Sequence, residues 1–418
     1  MEEKVYCCID LKSFYASVEC VERGLDPFKI NLVVADPTRG GGAITLAVTP
    51  AMKALGVPSR GRIFEIPKGI QYMIAMPRMK LYMEYSVKVY SIFLQFVSKE
   101  DIHVYSIDEA FLDVTPYLSL YDCTVKQLAK RILKAIYDQT GLTATVGIGT
   151  NLFLTKVALD ITAKHTPDLI GYLDEELFQQ TLWDHLPLTD FWMIGHGTQN
   201  HLNRLGIYTL RDLVQYPEEI LYREFGINTE ILIDHAYGRE PVQISDIKKY
   251  KPKANSVSHS QILFEDYNYK DTYIILKEMV DMVVLELVEK HLVSDHISLS
   301  IGYSKGRRKA SNASCKITNC TNSYHLLMEE FTLLYEKIVD KKCPIRQIGI
   351  SFGNIKDEMY EQFNLFVDTE KVDKEKKLQE TVVKIRDMYG KNSCLKGMNY
   401  LEKATGRYRN ETIGGHKA

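Results

Sequence analysis

Acidic residues stand where strand-like runs of this sequence end. Asp10 directly follows the apolar run Val5–Ile9. Asp108 and Glu109 separate two further apolar runs, which are typical of the two strands of a hairpin. Acids in such an apolar setting destabilise a fold unless a cation or hydrogen bonds compensate their charge. The pattern therefore predicts strands that end at a cluster of carboxylates.

Such a cluster suits magnesium, which prefers hard oxygen ligands and usually takes one or two carboxylates together with substrate phosphates. Two ions about 3.5–4 Å apart can activate an attacking hydroxyl and neutralise a leaving pyrophosphate. The candidate ligands are Asp10, Asp108, Glu109 and the backbone carbonyl of Leu11. From spacing alone the alternative stays open that Asp108 and Glu109 form a solvated turn and that Asp10 caps a helix.

Composition excludes several classes of protein. The 418 residues are 45% hydrophobic and 25% charged, which suits a folded chain of about three domains. The formal charge of −2 excludes a uniformly basic coat but not a basic groove. No long apolar window or basic leader is present, so we expect neither a membrane span nor export. Cys315 and Cys320 lack a second metal-spaced pair, so we expect reduced thiols and no zinc site.

The order of the expected elements changes along the chain. Strands of the first 165 residues are expected near 5–9, 104–107, 111–114 and 143–148, with helices among them. Short helical patterns follow to about residue 240, and a charged segment then suggests a linker. The next hundred residues have the order strand, long helix, two strands, helix, strand. The chain is therefore expected to be an α+β multidomain protein.

Two long motifs carry a family resemblance. They are Ile9-Asp-Leu-Lys-Ser-Phe-Tyr-Ala-Ser-Val-Glu19 and Tyr105-Ser-Ile-Asp-Glu-Ala-Phe-Leu-Asp-Val114. Together they resemble the signature pair of the Y-family translesion DNA polymerases. The similarity is closer to the UmuC-type branch, the catalytic subunits of bacterial polymerase V and their Gram-positive relatives. Later segments extend it over nearly the whole chain.

The resemblance implies a right-hand polymerase fold. Its parts are a palm at 1–165 with fingers inserted at about 20–77, a helix-hairpin-helix thumb at 166–240, a linker at 241–250, a βαββαβ little finger at 251–358, and a clamp-binding peptide with a C-terminal tail at 359–418. It also implies error-prone, DNA-directed translesion synthesis in DNA repair and the SOS response, with two Mg²⁺ ions. The implied partners are primer-template DNA, deoxynucleoside triphosphates, a sliding clamp and SOS accessory proteins, for a cytoplasmic protein associated with the nucleoid.

The resemblance also assigns roles beside the acids. Asp10, Asp108 and Glu109 become metal ligands, with Glu109 nearest the primer 3′-hydroxyl. Tyr15 becomes a steric gate, whose ring leaves no room for the 2′-hydroxyl that distinguishes RNA precursors. Phe14 packs beside it. Both aromatic residues fall on the first turn of an expected helix, so ordinary core packing is the alternative.

A basic residue is expected to contact the incoming triphosphate. Lys53 falls where the family carries such a residue. Ala47 and Pro50 stand where the better-known lesion-bypass branch usually has Thr and Tyr, which suggests a different phosphate clasp. Arg39 and Arg60 are candidate helpers.

A second basic segment follows the strand expected near 143–148. Lys156, Asp160 and Lys164 recur every four residues and so share one face of an expected helix. The resemblance assigns a triphosphate contact to Lys164, with Lys156 in support. A solvated salt-bridge ladder is the alternative.

Two segments are expected to grip DNA. The segment Met193–Thr198 resembles a helix-hairpin-helix turn, where Gly195 and Gly197 let backbone N–H groups approach a phosphate and Thr198 caps the next helix. In Ile297–Ser304 apolar residues alternate with Ser and Gly, which predicts one small, polar strand face. Basic residues with the same expected role follow it: Lys305, Arg307, Arg308, Lys309 and Lys316. A solvated charged hairpin tip is the alternative.

The segment Gln362-Phe-Asn-Leu-Phe366 resembles the pentapeptide with which bacterial polymerases dock on the sliding clamp. Gln362 fixes the orientation of such a peptide, and Phe363, Leu365 and Phe366 supply apolar anchors. A buried strand is the alternative.

Two other functions stay open. Some nucleotide cyclases share a similar sheet with metal-binding acids, although a cyclase requires neither a thumb hairpin nor a clamp peptide. An inactive damage-binding scaffold could keep the same fold, although the presence of all three carboxylates argues against it.

Overall fold

The computed structural model describes residues 4–252, 255–360 and 368–418, without the side chains of Arg39 and Tyr360. They group into two units, Met1–Tyr250 with His416–Ala418, and Lys251–Gly415. No helix in these ranges is both long and apolar enough to cross a membrane.

The first unit mixes strands and helices. Its strands are β1 (Tyr6–Leu11), β2 (Leu32–Ala35), β3 (Ile44–Val48), β4 (Gly61–Arg62), β5 (Met73–Ala75), β6 (Ile102–Val104), β7 (Glu109–Asp113), β8 (Ala144–Gly149) and β9 (Ile170–Leu173). Its helices are α1 (Phe14–Val21), α2 (Pro50–Ala54), α3 (Met79–Phe93), α4 (Thr115–Leu120), α5 (Val125–Thr140), α6 (Leu152–Val157), α7 (Glu175–Leu182), α8 (His196–Arg204), α9 (Leu210–Gln215), α10 (Glu218–Phe225), α11 (Asn228–Tyr237) and α12 (Ile244–Lys249).

The larger sheet of this unit, the β1 sheet, has five strands in the order β6-β7-β1-β8-β9. Strand β1 is antiparallel to both of its neighbours. Tyr6, Cys7, Cys8 and Ile9 are all buried. Both faces of β1 are therefore covered, which explains why its sequence is continuously apolar up to Asp10.

Helix α5 illustrates how the sequence fixes an element of this unit. Thr124 and Gln127 form a capping box, in which each side chain accepts from the other residue's backbone N–H. Leu128, Ile132 and Ile136 recur every four residues and are fully buried. Burial of each such side chain stabilises the fold by about 1.5–3 kcal/mol.

A smaller sheet lies between α1 and α3 in the chain, with the order β4-β3-β2-β5. Val33, Val48 and Met52 form the centre of its core. Helix α2 begins at Pro50, whose fixed φ suits a first helical position. Gly56 follows this helix with φ of 82°, a left-handed conformation that glycine adopts at low cost.

The helices α7–α11 pack around a separate core that includes Phe178, Leu202 and Leu210. One cap differs from the expectation. Gly195 is the N-cap residue of α8, and Thr198 is its third residue. The reason is that the first helical bond is already made from Gln199 N–H to the Gly195 carbonyl, at 3.0 Å.

The segment 241–250, expected to be a linker, contains helix α12 instead of a free chain. Asp246 accepts a bond from the backbone N–H of Gln243 at 3.0 Å, which starts the helix. Ile244 is buried and packs with Tyr6 and Phe111 of the β1 sheet. Ile247 of the same helix packs against this cluster as well, so two apolar residues hold the charged segment on the unit.

The second unit confirms the expected βαββαβ order. It contains β10 (Ser256–Tyr267), α13 (Tyr269–Glu289), β11 (Leu292–Tyr303), β12 (Ser311–Thr321), α14 (Tyr324–Ile338), β13 (Ile345–Gly353), β14 (Lys356–Asp357), α15 (Thr369–Tyr389), α16 (Gly406–Asn410) and β15 (Thr412–Ile413); β16 (His416–Lys417) follows near the chain end. Its main sheet is antiparallel, in the order β10-β13-β11-β12. Helices α13 and α14 cover one face through buried residues such as Val283 and Phe331.

The C-terminal segment packs on α13 through the buried Glu278. The carboxylate of Glu278 accepts from the backbone N–H groups of Thr405 and Gly406 at 2.8 and 3.0 Å. The Asn399 side chain donates to it at 2.7 Å. Because these bonds compensate a buried charge, the segment from residue 368 to residue 415 is an integral part of the second unit.

Candidate functional site

The β1 sheet brings the three candidate carboxylates together. Asp10 lies directly opposite Glu109 in the register of β1 and β7. Asp108 precedes Glu109 in the turn between β6 and β7, and its carbonyl accepts from the Leu11 N–H at 3.0 Å. Ser106 Oγ donates to the Asp108 carboxylate at 2.7 Å. The acids therefore meet at one end of neighbouring strands, in agreement with the sequence pattern.

The electrostatics of this cluster favour a cation. Burial, followed by repulsion from Asp108 and Glu109, raises the pKa of Asp10 to about 7. In a carboxyl group with so high a pKa the ionised form is destabilised, and a bound cation would stabilise it. Carboxylate oxygens are also the ligands that Mg²⁺ prefers. The donor set and its uncompensated charge therefore fit a divalent ion.

Glu109 is held by other groups of the chain. Its carboxylate pairs with Lys156 Nζ at 2.7 Å and accepts from Cys8 Sγ at 3.1 Å. Burial raises the pKa of the Cys8 thiol, which therefore stays protonated and donates. Among the described residues, no group of three or more His, Cys, Asp or Glu side chains already stands close enough to hold a metal. Lys156 and Cys8 both contact the same oxygen of Glu109, Oε1.

Helix α6 reaches the carboxylates because β8 carries glycines where the helix crosses it. A Cβ at Gly147 would lie 2.2 Å from the Thr155 carbonyl oxygen. A Cβ at Gly149 would lie 2.5 Å from the Thr155 nitrogen. Only glycine permits this approach. It places Lys156, the next residue, beside Glu109.

Lys156, Asp160 and Lys164 form the ladder expected from their spacing. Asp160 pairs with Lys156 and with Lys164, each at 3.0 Å. Burial alone would lower the pKa of Lys156, but the carboxylates of Glu109 and Asp160 raise it. Residues Ala158–Thr162 form a π-helical turn, a feature that is frequent at functional sites. The ladder thus links Glu109 to Lys164.

Further lysines face the same cluster. Burial lowers the pKa of Lys53, the charges of Lys164 and Lys12 lower it further, and Asp10 opposes them. The charges of Lys164, Lys12 and Asp10 therefore all act on Lys53. Sequence reasoning missed Lys12, although its place two residues after Asp10 within the motif was a usable signal. It also missed the ion pair between Lys156 and Glu109, because no local pattern joins residues so far apart.

The aromatic residues lie next to the acids. The rings of Phe14 and Tyr15 have centroids 5.5 Å apart. Burial and the charge of Asp108 raise the pKa of Tyr15, and Arg60 opposes this shift. The charge of Asp108 therefore acts on the Tyr15 hydroxyl. The side chain of Arg39 lies outside the described set.

The candidate thumb glycines are open to their surroundings. Gly195 and Gly197 stand at the N-cap and in the first turn of α8. A Cβ at either position would meet no atom within 4 Å. The N-terminus of α8 is therefore accessible to a ligand.

In the second unit, the sheet face opposite α13 and α14 consists of small polar residues. The strand registers place them in rows across four strands. One row is Ser258, Ser351, Ser298 and Ser314; the next is Ser260, Gly349, Ser300 and Asn312; a third is Ser256, Gly353, His296 and Lys316. We call this surface the serine face. Sequence alternation on one strand indicated it, but only the registers show that all four strands contribute.

Basic residues border the serine face. Lys305, Arg307, Arg308 and Lys309 are exposed in the loop between β11 and β12, and Lys316 is exposed on β12. Arg308 differs from the others because it pairs with Asp340 at 2.5 Å, so part of its charge is compensated within the chain. The clamp-like residues Gln362, Phe363, Leu365 and Phe366 lie outside the described residues.

Two family models match the chain. The impB/mucB/samB family model matches residues 9–160, and the model of the impB/mucB/samB family C-terminal domain matches residues 254–365. Together they cover more than half of the chain. The first match includes Asp10, Asp108 and Glu109.

Relatives match over nearly the full length. UvrX of Bacillus subtilis, named for UV-damage repair, is 34% identical over 98% of this chain and 97% of its own. DNA polymerase IV 2 of the same organism is 29% identical over 100% of this chain and 99% of its own. A Y-family DNA polymerase chimera of Dbh and Dpo4 shares the fold, with a TM-score of 0.64 at 22% identity over 84% of this chain and 99% of the chimera. The chain therefore belongs to the impB/mucB/samB family, and so to the Y-family DNA polymerases.

Proposed function

We propose that this polymerase performs error-prone translesion synthesis in DNA repair and the SOS response, by two-metal-ion nucleotidyl transfer. The main support for this proposal is that Asp10, Asp108 and Glu109 lie together at one end of the β1 sheet. Strand ends hold these groups in fixed places. That suits a reaction whose rate comes mainly from positioning and from charge neutralisation. The two sequence motifs of the chain, at 9–19 and 105–114, favour a place in the UmuC-type branch of the family.

The chain's own residues prepare this reaction. Asp10, Asp108, Glu109 and the backbone carbonyl of Leu11 would hold two Mg²⁺ ions. Bound there, the ions would supply activation of the primer 3′-hydroxyl for attack on the α-phosphate and neutralisation of the leaving pyrophosphate. Lys156 pairs with one oxygen of Glu109, Oε1, and with Asp160, and so compensates part of the negative charge of the cluster.

The triphosphate meets a group of lysines. Lys53, Lys164 and Lys12 supply the positive charge, and lysine suits phosphate as a compact charge on a flexible stem. The first turn of α1, which begins soon after β1 ends, offers backbone N–H groups to an anion. Ser13, at the N-cap of α1, has a buried hydroxyl without a hydrogen-bond partner among the described residues. Tyr15 excludes the ribonucleotide 2′-hydroxyl.

Duplex DNA binds to surfaces that carry no sequence code. Backbone N–H groups near Gly195 and Gly197 approach one phosphate, and serine hydroxyls of the serine face donate to others. Lys305, Arg307 and Lys309 add long-range attraction to the backbone. Contacts of this kind let the enzyme move along any template, including a damaged one.

We further propose that the segment Gln362–Phe366 docks on a sliding clamp. Its Gln at the first position and Leu-Phe at the last two support this. Replacing Leu365 and Phe366 with alanine should abolish clamp-stimulated processivity and spare distributive synthesis. Survival of clamp stimulation would assign the segment a structural role. SOS accessory proteins remain expected partners on the resemblance alone.

Primer extension with Mg²⁺ on undamaged and lesion-containing templates tests the proposal. We expect template-dependent extension by the wild type on both. A chain that binds primer-template without extending it would instead be a damage-binding scaffold. A cyclic product formed without template would indicate a nucleotide cyclase.

A further inference from the structure

The ring of Tyr15 stacks on a second aromatic ring. The centroids of Tyr15 and Tyr82 lie 4.5 Å apart with an interplanar angle of 22°. Phe14 contacts the edge of the same Tyr82 ring at 6.4 Å. Tyr82 is fully buried in helix α3. The Tyr82 ring is therefore a buried surface against which the ring of Tyr15 packs, and we call it the wall.

A buried acid fixes that wall. The Tyr82 hydroxyl donates to Glu19 Oε1 at 2.7 Å. Arg78 donates to both oxygens of the same carboxylate, from Nε at 2.9 Å and from Nη2 at 2.7 Å. Arg23 donates to it as well. Glu19 lies on α1, one helical turn after Tyr15, so one helix carries both the gate and the anchor of its wall.

The charge of this anchor makes its geometry specific. Burial would raise the pKa of Glu19, but hydrogen bonds from Arg78, Tyr82 and Arg23 lower it, so the carboxylate is ionised. Charge-assisted bonds of this kind are short and directional, and the bidentate pairing with Arg78 adds a fixed orientation. An apolar contact between α1 and α3 would stabilise the fold without fixing the tilt of Tyr82. A bond at the far end of the phenol ring fixes both its tilt and its depth.

We propose that Glu19, Arg78 and Tyr82 are positioning residues that set the sugar selectivity of the polymerase through the ring of Tyr15. This inference rests on the proposed role of Tyr15 as the gate. A ring free to tilt away from the sugar would admit a 2′-hydroxyl. A ring held by Tyr82 keeps the space closed.

The test compares kcat/KM for a deoxynucleotide and for the matching ribonucleotide opposite one template base. We expect Tyr82→Leu, which removes the stack, to lower the discrimination ratio about tenfold, mainly through a higher efficiency with the ribonucleotide. Tyr82→Phe keeps the ring but loses the bond to Glu19, and should lower the ratio about threefold. Glu19→Gln should act in the same direction. Tyr85→Phe is the matched control, because the Tyr85 hydroxyl on the same helix donates to Glu22 instead.

The outcomes separate this inference from the proposal on which it rests. Tyr15→Ala must relax discrimination if Tyr15 is the gate, and an unchanged ratio in that variant would overturn the gate itself. A relaxed Tyr15→Ala with wild-type ratios in folded Tyr82→Phe and Glu19→Gln would overturn the positioning role alone. Those two variants decide the question if Tyr82→Leu fails to fold. Equal losses with both sugars would also contradict the inference, since a purely structural role affects all nucleotides alike.

Discussion

The β1 sheet and the main sheet of the second unit differ in how they carry charge. The β1 sheet concentrates charge: partly buried acids meet at one strand end, opposed by lysines from α2 and α6. The outer face of the second unit's sheet carries few charges: it is mostly serine and glycine, with basic residues at its border and Lys316 in its third row. Chemistry at one phosphorus atom needs charges in fixed places. A surface proposed to bind duplex DNA of any sequence needs small polar groups that can contact any backbone phosphate.

The largest effect that tests this contrast is expected from the removal of one acid. Asp108→Asn should lower the extension rate about 10³-fold, because a group that stabilises charge in the transition state is lost. The affinity for primer-template should stay near the wild-type value, since the proposed DNA contacts lie on other surfaces. Single-turnover extension and fluorescence anisotropy measure the two quantities. An equal loss of both would mean that the acid supports the fold rather than the chemistry.

The serine face allows the converse experiment. Ser298→Glu together with Ser300→Glu should weaken DNA binding about tenfold, because two carboxylates would face the phosphate backbone. The extension rate at saturating DNA should remain unchanged. Ser119→Glu, at an exposed position of α4, is the control for added charge. Unaltered affinity in the double variant would show that duplex DNA binds elsewhere.

The pH dependence of stability tests the charge that is concentrated in the β1 sheet. Burial, followed by repulsion from Asp108 and Glu109, raises the pKa of Asp10 in the folded chain from its ordinary value of 3.8 to about 7. The folded state therefore binds more protons than the unfolded state between these values, and stability falls as pH rises from about 4 to about 7. In EDTA, Asp10→Asn should raise Tm by about 4 °C at pH 8 and by less at pH 5. A Tm difference that is independent of pH would contradict the electrostatic account of the cluster.

The smallest effect is expected from the basic loop. Lys305→Ala and Lys309→Ala should each lower the slope of log affinity against log salt by about one, with little change in template preference. Arg308→Ala should lower it less, because Asp340 already pairs with Arg308. Titrations over a range of salt concentrations measure these slopes. Equal slopes in all three variants and the wild type would place the loop away from the DNA.

The sequence predicted local patterns well and distant pairings poorly. The sequence pointed to Asp10, Asp108 and Glu109 because they lie where apolar runs end or begin, and to the ladder at Lys156, left open as an alternative, because its spacing is helical. The contact from Lys156 to Glu109 could not be found, since it depends on glycines of β8 that let α6 approach. The anchor of Tyr82 was equally hidden, because Glu19 and Tyr82 are joined only by packing of α1 and α3.

The C-terminal segment shows the same limit. The resemblance implied a C-terminal tail, yet the segment packs on the second unit because Glu278 lies buried where two backbone N–H groups can reach it. Acceptors for backbone groups leave no periodic signal in a sequence. Helix α12 likewise packs on the β1 sheet through Ile244 and Ile247, two apolar residues within a charged and polar segment.

Counting bound ions tests the central claim most directly. Mn²⁺ bound to the polymerase with primer-template, a non-extendable primer end and the correct deoxynucleotide can be counted by electron paramagnetic resonance. We predict two tightly held Mn²⁺ ions per chain in the wild type and fewer in Asp10→Asn and Asp108→Asn, with nucleotide and DNA still bound. An unchanged count in both variants would contradict the assignment of these carboxylates as the metal site.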